Sequence, residues 1–415
     1  MYLNKYFTRL KTVLSVFLLS ILFFSCDIGD NKVDLLDPFV RIYDREAFNS
    51  SYSPIDIKQT ADGGYLILGE TPNPDSNLRA IYLMRIDQEG NFVSDQVFDT
   101  QYVQPVGELL LIGGNYHFLC MHSVSLDVHI VTVAPDGSTS APVPVRDAEG
   151  NALFYPLSAA LDRDNATILL QSFDNEEKET VFSRINATGT ASQTRRLTIG
   201  AGPDVEEPII DHFTRSGKQF PFMSGFTTDG RYFFNGFYNF TFSLVFIDLA
   251  SEAAPGVLQG VGDEAGISSV LHINGNTFAT SRFSFGQNYI LPQVEINVSS
   301  EDPGSSEDLS GNPFPELPTD AKVILKRVQV GGQNYLIYAT DTKGKQILLL
   351  AYNESTGELM NTKRLGFSIP YEVAGFTSTA DGGLAVVGTA FVADRFPRVC
   401  LFKLSLDDVT ELVSQ

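Results

Sequence analysis

From residue 38 onward, short apolar runs alternate with polar turns that contain glycine. Tyr65-Leu66-Ile67-Leu68 is apolar at every position and follows Thr60-Ala61-Asp62-Gly63-Gly64. A run of that length reads as a strand covered on both faces. Asp-Gly and Gly-Gly supply the positive φ angles that tight hairpins need, so the turn requires no ligand to explain it. Near the other end of the chain the same pattern returns, with Thr379-Ala380-Asp381-Gly382-Gly383 opening Leu384-Ala385-Val386-Val387-Gly388. A degenerate copy, Thr228-Asp229-Gly230, lies between them.

A second landmark is an apolar strand end before a polar, glycine-bearing turn. Leu83-Met84-Arg85-Ile86 before Asp87-Gln88-Glu89-Gly90 is the clearest copy, and similar ends fall at Val133, Ile185, Ile247, Ile296, Tyr352 and Leu404. They recur about every 50 residues, the length of a four-stranded propeller blade rather than of a solenoid rung. The expected fold is therefore all-β: a seven-bladed β-propeller of four-stranded antiparallel blades over residues 38–415. Pro38-Phe39-Val40-Arg41-Ile42-Tyr43 precedes the first full unit and has strand character. It is expected to close the ring as the outer strand of the last blade. Helical periodicity is nearly absent beyond the N-terminal leader.

The form Thr-x-Asp-Gly-Gly-aromatic, followed by Leu, Ile or Val and then Gly, resembles the repeat of secreted and lipid-anchored β-propellers of Bacteroidota. Units one and seven carry it strongly and the middle five are degenerate. The resemblance implies a fold and an envelope location, and it carries over no catalytic residues. At the N-terminus, Lys5, Arg9 and Lys11 precede an apolar stretch from Thr12 to Phe24, which is shorter than the roughly 20 residues that span a bilayer. Residues 1–25 thus read as a cleaved signal. Leu22-Phe23-Phe24-Ser25-Cys26 resembles the bacterial lipoprotein signal, in which Cys26 is lipidated and becomes the first residue; an ordinary secretory signal and an uncleaved anchor are the alternatives. Residues 26–37 would be a tether, and Asp27-Ile28-Gly29-Asp30 partly resembles the signals that send Bacteroidota lipoproteins to the outer membrane and sometimes to the cell surface. Several acyl chains anchor a protein stably, so the expected partner is the membrane, through lipid on Cys26.

Charge narrows the partners further. The chain has 29 basic and 50 acidic residues, a net charge of −21, and without residues 1–25 it becomes more negative still. Nucleic acid needs a basic footprint and is excluded as a partner, and anionic headgroups are disfavoured. With 43% hydrophobic and only 19% charged residues, the chain has enough apolar material for a large core. Cys120 and Cys400 lie inside apolar runs and read as buried free thiols.

No residue pattern announces chemistry. His117 and His122 have opposite strand parity and cannot chelate one metal locally. Asp162-Arg163-Asp164-Asn165 alternates like a calcium loop but lacks its glycine and distal glutamate, so a turn is the simpler reading. There is no Gly-x-Ser-x-Gly, His-Glu-x-x-His, Walker or dinucleotide motif, so no catalytic, cofactor or metal residue is expected. The phenylalanine-rich stretch from Phe233 to Phe242 reads as packing between blades.

Two insertions are the candidate places for function, because loops carry function on rigid scaffolds. Gly200 to Phe222 contains Arg215 and Lys218, and Ser299 to Asp320 contains Glu301, Asp302, Glu307 and Asp308. These six are the candidate contacts for another envelope protein. The expected function is a non-catalytic outer-membrane lipoprotein propeller that binds or scaffolds. The alternatives are a glycan hydrolase or lyase working in the propeller channel, and a small-ligand capture protein. Converging ionisable groups in the channel would favour the enzyme; an exposed patch on a side or rim would favour the scaffold.

Overall fold

A computed structural model describes residues 38–44, 51–298, 304–319, 321–393 and 395–415. Residues 1–25, the tether 26–37 with Cys26, and Glu301 and Asp302 lie outside the described residues. The described strands form successive antiparallel meanders, units one to seven in chain order. Their first strands are Ser53–Gln59, Tyr102–Ile112, Pro156–Leu161, Met223–Phe226, Ala265–Asn274, Val323–Val330 and Tyr371–Ser378. The third strands are Arg79–Ile86, Val128–Val133, Glu179–Asn186, Thr241–Ile247, Gln287–Glu295, Ile347–Asn353 and Phe396–Leu404, so each strand end expected from the sequence falls within one residue of a third strand's end.

The repeated Asp-Gly turns join first and second strands. The Thr60 N–H donates to Gly64 O at 2.8 Å and the Gly63 N–H to Thr60 O at 2.9 Å. The same two bonds recur from Thr379 to Gly383 and from Thr227 to Arg231. Gly63 and Gly382 have φ of 86° and 82°, a left-handed conformation that costs glycine nothing.

Each meander is apolar on both faces, and the two faces pack on different neighbours. In unit one, Leu66, Leu68, Ile81 and Leu83 pack with Leu109, Phe118 and Val131 of unit two. The alternate residues Tyr65, Ile67, Tyr82 and Met84 pack with Ala385, Val387, Val399 and Leu401 of unit seven. Comparable clusters join each remaining pair of consecutive units. The phenylalanines of unit four belong to them: Phe234 faces Phe182 of unit three, and Phe246 faces Phe278 of unit five.

Phe39–Tyr43 lies antiparallel on the third strand of unit seven, with Phe39 opposite Lys403 and Tyr43 opposite Val399. The chain's first described strand thus completes its last sheet. Unit five departs from the four-strand expectation, with three strands among the described residues. The segment that follows them runs to unit four instead, where Gly304–Ser305 pairs in parallel with Leu258 and Gln259. Val298 and Leu309 are buried there with Phe233 and Leu258, and that apolar burial competes against pairing at unit five's own edge.

Two helices also depart from the sequence expectation. Helix α1, Pro203–His212, lies in the insertion between units three and four, and α2, Leu406–Leu412, follows the last strand. Pro203 opens α1 with Asp204 and Glu206 in its first turn, while Ser405 and Asp408 form a capping box on α2. Each bears a start signal, but neither is long enough to show helical periodicity clearly.

The Tyr43 hydroxyl donates to Gly90 O of unit one at 3.0 Å, and its ring is buried between units seven and one. Tyr43→Ala should cost about 3 kcal/mol of stability and Tyr43→Phe about 1 kcal/mol. Urea unfolding checks both, and an unchanged midpoint for Tyr43→Ala would contradict the closing role of this strand.

Candidate functional site

The first strands stand side by side around the lumen. Leu109 N–H donates to Asp56 Oδ2 at 3.0 Å, and the Ser158 and Ser224 hydroxyls meet at 2.7 Å. In Ser53–Gln59, Asp56 and Lys58 share a parity and so emerge on one side of the strand. The pairing of unit two's first and second strands shifts between Val106 and Leu110. A bulge of this kind re-aims a side chain, and here it carries Glu108. Gly107 has φ of 72°, and a Cβ there would lie 2.8 Å from Ala159 O, so the bulge requires glycine.

Charges from three units interlock in the lumen. Lys58 Nζ lies 3.0 Å from Glu108 Oε2 and 3.3 Å from Asp56 Oδ2. Lys326 Nζ of unit six lies 3.2 Å from Glu108 Oε1 and 3.6 Å from Asp56 Oδ1, and it donates to Phe376 O at 2.9 Å. Each carboxylate therefore has two ammonium partners. Lys326, together with Lys58, holds the Glu108 carboxyl well below the usual carboxylate range. Burial opposes the charge on Lys58, but Asp56 and Glu108 outweigh it and raise its pKa.

Further along, Lys322 donates to Ala374 O at 2.9 Å, and burial lowers its pKa despite Asp341 and Glu70. Asp341 accepts from the Val373 N–H at 2.6 Å, yet burial pushes its carboxyl up to about 7. Carboxylates do converge in the lumen, so a scaffold that uses only its rim does not account for it.

The Gly200 to Phe222 insertion crosses one end. Gln219 accepts from Arg79 of unit one at 2.9 Å, while its neighbour Lys218 pairs at 3.0 Å with Asp263, just before unit five. Units one and five are nearly opposite in the order of meanders, so adjacent residues reach both sides. Arg215 is tied back to Asn77 through its backbone N–H at 3.0 Å and its guanidinium at 3.4 Å. His212, on α1, accepts from the Phe220 N–H at 3.0 Å; burial, with Arg79 nearby, pushes its pKa down to about 3. It stays neutral across the physiological range. Above the insertion is a cavity of about 640 Å³ lined by Lys58, Glu108, Leu157, Ser158, Phe222 and Ser224.

Glu307 accepts from Arg282 at 3.0 Å and from the Ser284 hydroxyl at 2.8 Å, and Asp308 is exposed. Arg215 and Lys218 are separated from Glu307 in the chain and serve different contacts. The Asp162 and Asp164 carboxylates both hold Arg184, at 2.5 Å each. His122 Nδ1 accepts from the Ser125 N–H at 3.2 Å, and His117 lies near the Thr132 hydroxyl at 3.2 Å. Cys120 and Cys400 are buried free thiols in different clusters. Among the described residues no three His, Cys, Asp or Glu side chains are grouped to hold a metal ion.

Sequence reading missed Asp56, Lys58, Glu108, Lys322, Lys326 and Asp341. The available signal was charged residues inside first strands, as in Ser53-Pro54-Ile55-Asp56-Ile57-Lys58, where an all-round apolar run would otherwise be expected.

No family model matches the chain, and no curated protein matches it. Among solved structures, the β-propeller domain of the Trilobed protease from Pyrococcus furiosus is 10% identical, over 88% of this chain and 98% of that one, with a TM-score of 0.47. A hydrazine synthase chain from Kuenenia stuttgartiensis is 12% identical over 88% and 100%, with a TM-score of 0.48. A prolyl endopeptidase is 12% identical over 87% of this chain with a TM-score of 0.45, and this chain spans about half of its length, 49%.

Because Glu108's pKa is depressed in the folded state, its contribution is complete above the unfolded value of about 4.3 and is lost as pH falls through the lower folded value. The stability advantage of wild type over Glu108→Gln should therefore be present at pH 7 and vanish on acidification. Urea midpoints at neutral and acid pH measure it, and a difference independent of pH would contradict the pairing. Lys326→Met, which leaves two carboxylates with one shared partner, should cost about 1–3 kcal/mol at neutral pH.

Proposed function

We propose that this chain is a non-catalytic β-propeller of the outer membrane, anchored by lipid on Cys26, that works as a binding module with the lumen as its site. One observation carries the non-catalytic reading: Asp56 and Glu108, the carboxylates that converge in the lumen, are each neutralised by both Lys58 and Lys326. A general base needs a pKa near the working pH; Glu108 is held well below its ordinary range, and Asp341, which burial raises to about 7, is taken up by the Val373 N–H at 2.6 Å and does not line the cavity beside Lys58 and Glu108. A fixed lattice of donors and acceptors does suit recognition, since preorganised polar groups lose little freedom when a ligand arrives. The insertion across one end supports capture rather than passage. The lipoprotein-like Leu22-Phe23-Phe24-Ser25-Cys26 supports the anchor.

Two measurements test this. Metabolic labelling with a fatty-acid analogue should mark wild type and spare Cys26→Ser; label on both would remove the anchor. Incubation with envelope and extracellular glycans should yield no turnover by wild type, whereas turnover abolished in Glu108→Gln would replace the binding module by the enzyme.

A further inference from the structure

A second cavity lies away from the lumen, between units five and six, on the face that carries the Asp-Gly turns. Its volume is about 790 Å³. Asn274 and Thr277 flank the turn between the first two strands of unit five, and Gln329, Gln333 and Asn334 flank the corresponding turn of unit six. Asn353, Ser355 and Thr356 come from the turn after unit six's third strand, and Gln293 from the end of unit five's third strand.

Uncharged amides and hydroxyls thus dominate the lining. In a protein with 50 acidic residues, the only charged side chain lining the groove among the described residues is Glu354, and Arg327 neutralises it, with Nε 3.0 and 2.8 Å from its two oxygens. The same guanidinium donates to His272 O of unit five at 3.1 Å. Gln293 adds a bond to Glu354 O at 2.6 Å. The floor is therefore tied across both units before any ligand arrives. At the rim, Asn274, Gln329 and Asn334 are exposed, and no side-chain hydrogen bond occupies their amides among the described residues.

We propose that this groove binds a neutral oligosaccharide. Amides each offer paired donors and acceptors, which match vicinal sugar hydroxyls, and the carboxylates of Glu295 and Glu358, bonded to the lining hydroxyls of Thr277 and Thr356, disfavour an anionic ligand such as a uronate or a nucleotide. The groove exceeds the volume of a single sugar ring and leaves room for more than one. No aromatic side chain lines it, so the hydroxyls rather than ring stacking would carry the affinity. The site is separate from the lumen and stands or falls independently of the binding module proposed there.

The test is an array of defined neutral oligosaccharides (α- and β-glucans, mannans, xylans) beside uronate-bearing chains, followed by calorimetry on the best probe. Wild type should bind at least one neutral series and reject the uronates. Gln329→Ala/Asn334→Ala removes two exposed, unpaired amides, so it should leave the melting temperature unchanged while weakening binding at least about tenfold. Val124→Ala, at an exposed position of unit two away from the groove, should bind as wild type does. Absence of any neutral binder, equal binding by the double variant, or equal binding of uronate chains would each overturn the proposal.

Discussion

Everything in this molecule depends on sheets that are apolar on both faces. Tyr65 and Ile67 look one way and Leu66 and Leu68 the other, and each fully buried side chain of this size contributes about 1.5–3 kcal/mol. A meander built this way cannot stand at the end of a row without exposing half of that surface. Packing unit one against unit seven covers the last two faces, and the pairing of Phe39–Tyr43 with Phe396–Leu404 joins the chain's two ends in one sheet. The apolar pattern and the topology are thus two consequences of one requirement.

The same arrangement brings together side chains that are far apart in sequence. Lys58, Glu108 and Lys326 come from units one, two and six, yet both ammonium groups lie within 3.2 Å of the Glu108 carboxylate. The two lysines are only partly exposed, and pairing with Glu108 and Asp56 offsets the cost of removing them from bulk water. The bulge at Gly107 and the insertion that spans from Arg79 to Asp263 are both devices that spend backbone regularity on the lumen.

Sequence periodicity reveals what repeats. Strand ends at Ile86, Val133 and Leu404, the Asp-Gly hairpins of units one, four and seven and the strand near Tyr43 were all legible, because each is written in a short local run of residues. What does not repeat was hidden. Glu108 looks like an ordinary surface glutamate until the Gly107 bulge re-aims it. Lys326 shows its role only when unit six is set opposite unit two. Helices α1 and α2 are short, so Pro203 at the start of α1 and the Ser405–Asp408 capping box of α2 are stronger signals than their periodicity. Unit five has three strands among the described residues, while Val298 and Leu309 are buried against unit four, a placement that local propensity does not record.

The most direct test of the closed, mutually covered ring is native-state hydrogen exchange of the second strands Tyr65–Pro72 and Leu384–Val392. An open array of units frays from its ends, so its terminal units open at lower free energy than its middle ones. In the closed ring neither unit one nor unit seven is terminal. Their slowest amides should exchange with the same free energy as those of Ile347–Asn353 in unit six, through global unfolding. Markedly lower protection in unit one or unit seven would contradict the account.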